Sequence, residues 1–286
     1  MLLFAVFTQS LTFLPLALGI GISYTLLRAT DMTLDGSFVL GAAVFARLIT
    51  LGTPPLLAGI CALLAGALAG VMVSLIQRGG RVDPLLAGVL ATFILTGGNL
   101  VLMGKPNINL LTQTTLLSPA FQISEFCGWA LVTCISLFFC VLSCYLIHSK
   151  LGLTLRALGD NPSLLKRMGK NIETYRMLGF AFTNMLAAAA GCLTAQTVGY
   201  ADIGMGFGMT LTGIGAVILG QHIFRFLFKN VSARVLVEFF SCVLGVALYF
   251  FAINGLLRLE VDPVYLKMFL GVILILFIRT ASRSVQ

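Results

Sequence analysis

The chain has 286 residues, 59% of them apolar and only 10% charged, at a mean hydropathy of +1.04. A soluble domain carries roughly 25% charged residues, so the composition excludes an ordinary water-soluble enzyme and points to an all-α polytopic membrane protein. The net charge of +8 is no nucleic-acid signal, because the basic residues sit in short loops between apolar spans.

In chain order, nine apolar segments are predicted: 3–27, 36–50, 55–77, 84–104, 126–148, 177–198, 205–221, 233–253 and 264–280. The first runs from Leu3 to Leu27 without a charge, has no basic lead and no clear cleavage site, and reads as a retained helix. The hydrophilic stretches at about 105–125 and 149–176 are too small to build a core, so 1–286 reads as a single membrane domain.

The segments 36–50 and 205–221 are short for a crossing, and each follows a Gly/Asp-rich stretch, DMTLDGS at 31–37 and YADIGMGFG at 200–208. The glycines Gly36, Gly204, Gly206 and Gly208 permit either unwound backbone or close helix approach. If a solute passes here, Asp35 and Ser37 are expected on the inner side of its route and Gly206 on the outer. On 84–104, Thr92, Thr96 and Asn99 fall near one face; on 177–198, Thr183, Asn184, Thr194 and Gln196 are polar at membrane depth. Such groups either line a route or hydrogen-bond between helices. Thr96, Asn99 and Asn184 are retained as lining candidates, the two amides because an unpaired buried amide is costly.

The seven cysteines all fall in or beside apolar spans, form no C-x-x-C pair, and read as packing residues. Trp129 reads as an interface anchor and Gly66–Gly70 as a small-residue packing pair, inside a subunit or between subunits.

With the N-terminus outside and alternating spans, fourteen lysines and arginines fall inside and four outside. This bias predicts an N-out, C-in topology with an odd number of crossings. A long span, a break, a short span and two further spans occur at 3–104 and again at 177–280, with 126–148 between them. Such an arrangement predicts two inverted repeats, whose interrupted helices tend to lie near a transport route.

The stretch from Lys150 to Arg176 is the most informative. Asp160 or Asn161 can cap a helix, Pro162 suits its first position, and Gly169 can end it in the left-handed conformation. The predicted helix over 162–168 carries Leu164, Leu165 and Met168 on an apolar edge beside Lys166, Arg167 and Lys170. Two readings remain open from these residues: an interfacial helix on anionic lipid, or a docking helix for a cytoplasmic partner.

The block TLRALGDNPSLLKRMGKNIETYRMLGFAFTNMLAAAAGCLTAQTVGYADIGMGFGMTLTGIGAVILG at 154–220, with DMTLDGSFVLGAAV at 31–44 and LLAGVLATFILTGGNLVLMGKPNINLL at 85–111, resembles the permease subunits of ABC importers in the branched-chain amino acid and ribose superfamily. Within it the similarity is closest to the tryptophan/tyrosine-type permeases. The resemblance implies a permease in the bacterial inner membrane whose loop at 149–176 carries a coupling helix. Asp160, Asn161, Pro162, Leu164, Leu165, Arg167, Met168 and Gly169 would then contact a separate cytoplasmic ATPase dimer. It further implies an external solute-binding protein landing on 105–125, 199–204 and 254–263, a second permease copy making a homodimer, and a small solute such as an amino acid.

No G-x-x-x-x-G-K-[ST] phosphate loop occurs, so ATP would be bound by the partner subunit and this chain would hold no cofactor. No H-E-x-x-H spacing or G-x-S-x-G elbow supports a metal site or an enzyme. The alternative is an ion- or proton-coupled carrier, which would need acidic groups at membrane depth. The candidates are Asp31, Asp35, Asp202 and Glu238.

Overall fold

The computed structural model describes residues 2–80, 82–227, 234–259 and 271. Among them, eight helices are long and apolar enough to cross a membrane. The expected ninth segment, 264–280, lies outside the described residues apart from position 271.

The spans are α1 (Leu2–Gly21, continued by a π turn Ile22–Leu26), α2 (Thr33–Thr50), α3 (Pro55–Ile76) and α4 (Pro84–Met103). A two-stranded ribbon begins with β1 (Asn107–Asn109), followed by the short α5 (Ser118–Ile123) and the span α6 (Glu125–His148). The helices α7 (Lys150–Asp160) and α8 (Pro162–Arg167) precede the span α9 (Ile172–Val198), and β2 (Tyr200–Asp202) leads through a 3-10 turn (Ile203–Gly206) into α10 (Met209–Leu227) and α11 (Arg234–Arg258).

The helix ends follow local chemistry. At the start of α4 the Asp83 carboxylate accepts the Leu85 N–H and Pro84 takes the first position; Gly104 closes it in the left-handed region. Ser124 caps α6 by accepting the Cys127 N–H, and Asn171 caps α9 by accepting that of Glu173.

The hub is α9, which packs against α1, α2 and α3. Small residues let it come close. A β-carbon at Gly70 would collide with the Phe180 carbonyl oxygen, and one at Gly66 with Ala188. The Gly66–Gly70 pair is therefore spent inside the subunit, on α9.

Around this hub the buried side chains form three clusters. A central one joins α1, α2, α6, α9, α10 and α11. A second, with Phe45, Ile49, Met103, Ile108 and Ala201, lies at the ribbon end; a third, with Leu27, Val73, Leu155, Leu158, Leu165 and Phe180, lies at the α8 end.

The outward faces of α3, α4 and α6 stay apolar and exposed, as at Leu68, Phe93 and Phe138. In a soluble protein such surface would be an interaction patch; on a membrane domain an apolar outward surface is the ordinary state.

The ribbon was not expected from the sequence. Its strands pair antiparallel with Ile108 opposite Ala201, and the Ile203 N–H donates to the Pro106 carbonyl at 3.1 Å. Strands of three residues carry too little periodicity to be read locally. Beyond it, Trp129 packs edge-on against both Phe4 and Phe121.

Candidate functional site

The first break follows the π turn that ends α1. There the Leu27 N–H reaches the Ile22 carbonyl at 3.2 Å, Arg28 takes a positive φ of 49°, and a new helix starts at Thr33. This start is deep in the apolar layer. The Thr92 hydroxyl donates to the Met32 carbonyl at 2.8 Å, which sets the break about 12 Å along α4 from Pro84 at 1.5 Å per residue.

Asp31 organises the break. Its Oδ1 accepts both the N–H and the hydroxyl of Thr33, the first residue of α2, from one position before the N-cap Met32. Its Oδ2 accepts from Asn184 Nδ2 at 2.8 Å, and Asn184 Oδ1 accepts the Ser37 hydroxyl at 2.6 Å. Ser37, Thr33 and Asn184 are fully buried and Asp31 nearly so. Asn184 sits near the middle of α9, so this is a sealed polar network at the centre of the fold, tying α2 to α9.

The second break is different. After β2 the chain makes the turn Ile203–Gly206, and Gly208 takes a φ of 77° before α10 starts. Asp35, in the first turn of α2, receives that start: its Oδ2 accepts the Gly208 N–H at 3.0 Å and its Oδ1 the Thr210 N–H at 2.6 Å. The N-terminus of each interrupted helix is thus met by an aspartate, with the favourable charge for the helix dipole.

Beside Asp35 a cleft of about 250 Å³ opens, lined by Asp35, Gly36, Val39, Thr92, Thr96, Asn99, Ile203, Gly204, Gly206 and Phe207. It gathers four of the six residues proposed from sequence to line a route: Asp35, Thr96, Asn99 and Gly206. The other two, Ser37 and Asn184, do not reach it; they are consumed in the sealed network. The expected ordering also changes. Gly206 packs directly on α2, where a β-carbon would collide with the Asp35 carbonyl oxygen. Asp35 and Gly206 therefore stand at one depth rather than on opposite sides.

Asn99 is fully buried and donates to the Gly36 carbonyl at 3.2 Å, while its Oδ1 has no partner. Thr183 and Thr194 bond back to their own helix at Phe180 and Ala190, and Gln196 accepts the Leu116 N–H. Asp31 was noted from sequence only as an acid in a break; its role as a hub appears with its partners, which lie up to 153 residues away.

At the other end, Asn161 caps α8 by accepting the Leu164 N–H, Pro162 follows it, and Gly169 adopts a φ of 72°. The three apolar residues do not share one edge. Leu165 is only 2% exposed and packs among Leu27, Leu155, Leu158 and Phe180, whereas Leu164 and Met168 are 49% and 63% exposed. Leu165 is thus an anchor to the body, which corrects its placement among the outward-facing residues. Asp160 ends α7 and pairs with Arg28 at 2.5 Å rather than capping α8. Next to it, Gly159 lets α7 lie directly on the Leu26 carbonyl of the π turn.

A model of the family described as branched-chain amino acid transport system / permease component matches residues 2–278. The chain is 45% identical over 277 residues to the uncharacterized protein RP368 of Rickettsia prowazekii, covering 96% of each. It is 32% identical to the tyrosine transport system permease protein of Clostridioides difficile, covering 99% of this chain and 92% of that one. It is 24% identical to the ribose import permease protein RbsC of Escherichia coli K12 over 93% of this chain and 82% of that one.

Proposed function

This chain belongs to the branched-chain amino acid transport permease family, and from that membership we propose that it is the membrane subunit of an ATP-driven importer, powered by a separate cytoplasmic ATPase dimer. The observation that carries the reading is α8. It is a short capped helix on the longest described loop of its end, with Leu165 held in the body and Leu164, Arg167 and Met168 turned outward. A helix built this way offers a small apolar tip with a basic rim to a partner's groove.

Its mounting suggests how motion would travel. Force on α8 passes to α7 through the shared Asn161 junction, and α7 lies on the π turn through Gly159 and the Arg28–Asp160 pair. Five residues after Leu26 comes Asp31, the hub of the first break. A π turn is a strained segment often found at functional sites, and here it joins the docking helix to the interrupted α2.

The topology we assign has the N-terminus outside and α8 in the cytoplasm of a bacterial inner membrane, supported by the charge bias of the loops. The units 3–104 and 177–280 act as inverted repeats, in keeping with a helix that starts at a break in each, α2 and α10. The solute is an amino acid, the class named for the Clostridioides difficile relative. An external binding protein delivers it to the ribbon end, around 105–125 and 199–204, and two permease copies form the route. Membrane lipid covers the apolar faces.

The experiment is capture of the ATPase on purified permease. Leu164→Glu with Met168→Glu abolishes co-purification while leaving the permease folded, because both side chains are exposed. Leu165→Ala instead lowers the thermal stability of the permease itself by roughly 2–3 kcal/mol. Undiminished ATPase capture by the double variant would overturn the docking role of α8.

A further inference from the structure

The cleft beside Asp35 contains an oxygen that no group among the described residues satisfies. Asn99 is fully buried, and its amide orientation is fixed because Nδ2 must face the Gly36 carbonyl, where the amide oxygen would be repelled. Its Oδ1 is left without a donor. A buried unpaired carbonyl costs about 1–3 kcal/mol, and two of its neighbours cannot repair it. The single hydroxyl hydrogen of Thr92 goes to the Met32 or Gly88 carbonyl, and that of Thr96 to the Thr92 carbonyl.

The side chains that line the cleft therefore offer acceptors. Asn99 Oδ1 is buried without a donor among the described residues, both threonine oxygens keep lone pairs, and each Asp35 carboxylate oxygen has accepted only one N–H. The one side-chain donor left is the second amide hydrogen of Asn99. No lysine, arginine or histidine is among the described lining residues. The helix N-terminus at the cleft would attract an anion if bare, but Asp35 already occupies it. Charge and hydrogen bonding thus agree on what fits: a cationic group rich in N–H donors, and not a carboxylate or phosphate.

We propose that this cleft is a transit subsite for a primary ammonium group of the solute, with Asn99 Oδ1, Thr96 Oγ1 and the Asp35 carboxylate as its acceptors. The proposal rests on the reading of the chain as an amino-acid permease, and it names the end of the solute that the membrane domain itself recognises.

The test uses the purified permease carrying Phe207→Cys, since Phe207 lines the cleft, is exposed and is none of the three acceptors. Modification at position 207 is read by peptide mass spectrometry, with the native Cys127 in the first turn of α6 as internal reference. The aminoethyl methanethiosulfonate reagent is expected to outpace the sulfonatoethyl one at position 207 by roughly tenfold or more beyond their ratio at Cys127. L-phenylalanine and phenethylamine should slow the reaction at position 207, and 3-phenylpropionate should not. Adding Asn99→Leu should remove that protection and leave Cys127 labelling unchanged.

Equal or faster labelling by the anionic reagent would overturn the proposal. So would protection by 3-phenylpropionate matching that by phenethylamine, or no protection by any of the three at their solubility limits. ATPase capture is read at α8 and is independent of the cleft. Loss of the importer reading with ammonium selectivity intact, and the reverse, are distinct outcomes.

Discussion

The two interrupted helices start by the same device and end in different surroundings. At α2 the carboxyl group that meets the helix start, Asp31, is closed in by Thr33 and Asn184, and Ser37 completes the network. At α10 the capping carboxylate, Asp35, comes from another helix and stands at the edge of an open cleft. A sealed carboxyl group with both oxygens partnered is a joint: it fixes α2 against α9 and leaves nothing for a solute. A capped charge with lone pairs to spare beside an unsatisfied Asn99 is a surface that can bind. The same residue type thus serves structure in one break and recognition in the other, and the difference lies in which neighbours have spent their hydrogens.

The contrast can be broken most forcefully at Asn184. Replacing it with leucine strips Asp31 Oδ2 of its donor and leaves the Ser37 hydroxyl unmet. Thermal unfolding of the purified permease should show a loss of roughly 3 kcal/mol. A loss below about 0.5 kcal/mol would mean that the network is no joint. Asp35→Asn should cost less, about 1 kcal/mol, since the amide oxygen still caps one of the two N–H groups of α10. The same variant should lose most of the bias toward cationic reagents at position 207, so stability and electrostatics separate in one protein. The smallest effect is expected for Thr96→Val. Its hydroxyl bonds only its own helix at the exposed cleft wall, so unfolding should move by no more than about 0.5 kcal/mol. A larger change would place Thr96 in the framework rather than in the cleft.

Much of the fold was legible beforehand. Eight of the nine apolar segments coincide with helices among the described residues, and both breaks fall where Gly and Asp cluster. Asn161, Pro162 and Gly169 bracket α8 because capping depends on residues within one turn. The ribbon was invisible, since its strands pair across more than ninety residues and are only three long. The candidate site was half legible. Asp35, Thr96, Asn99 and Gly206 meet in one cleft, while Ser37 and Asn184 are polar at the same depth and are turned inward instead. The apolar edge of α8 misled for a related reason: spacing alone cannot say that Leu165 faces the body and Leu164 the exterior.

By itself the sequence determined that this is a membrane-spanning bundle, where its helices lie, where two Gly/Asp-rich stretches fall, and that it carries no phosphate loop. Each of these follows from sums or patterns over a few to about twenty neighbouring residues. Only the tertiary structure decided which aspartate is closed and which is open. That depends on the rotation of α2, α4 and α9 about their own axes, fixed by close contacts such as Gly70 on Phe180. A turn of one residue, about 100° around a helix, would exchange a sealed hydrogen bond for an exposed one without altering any span.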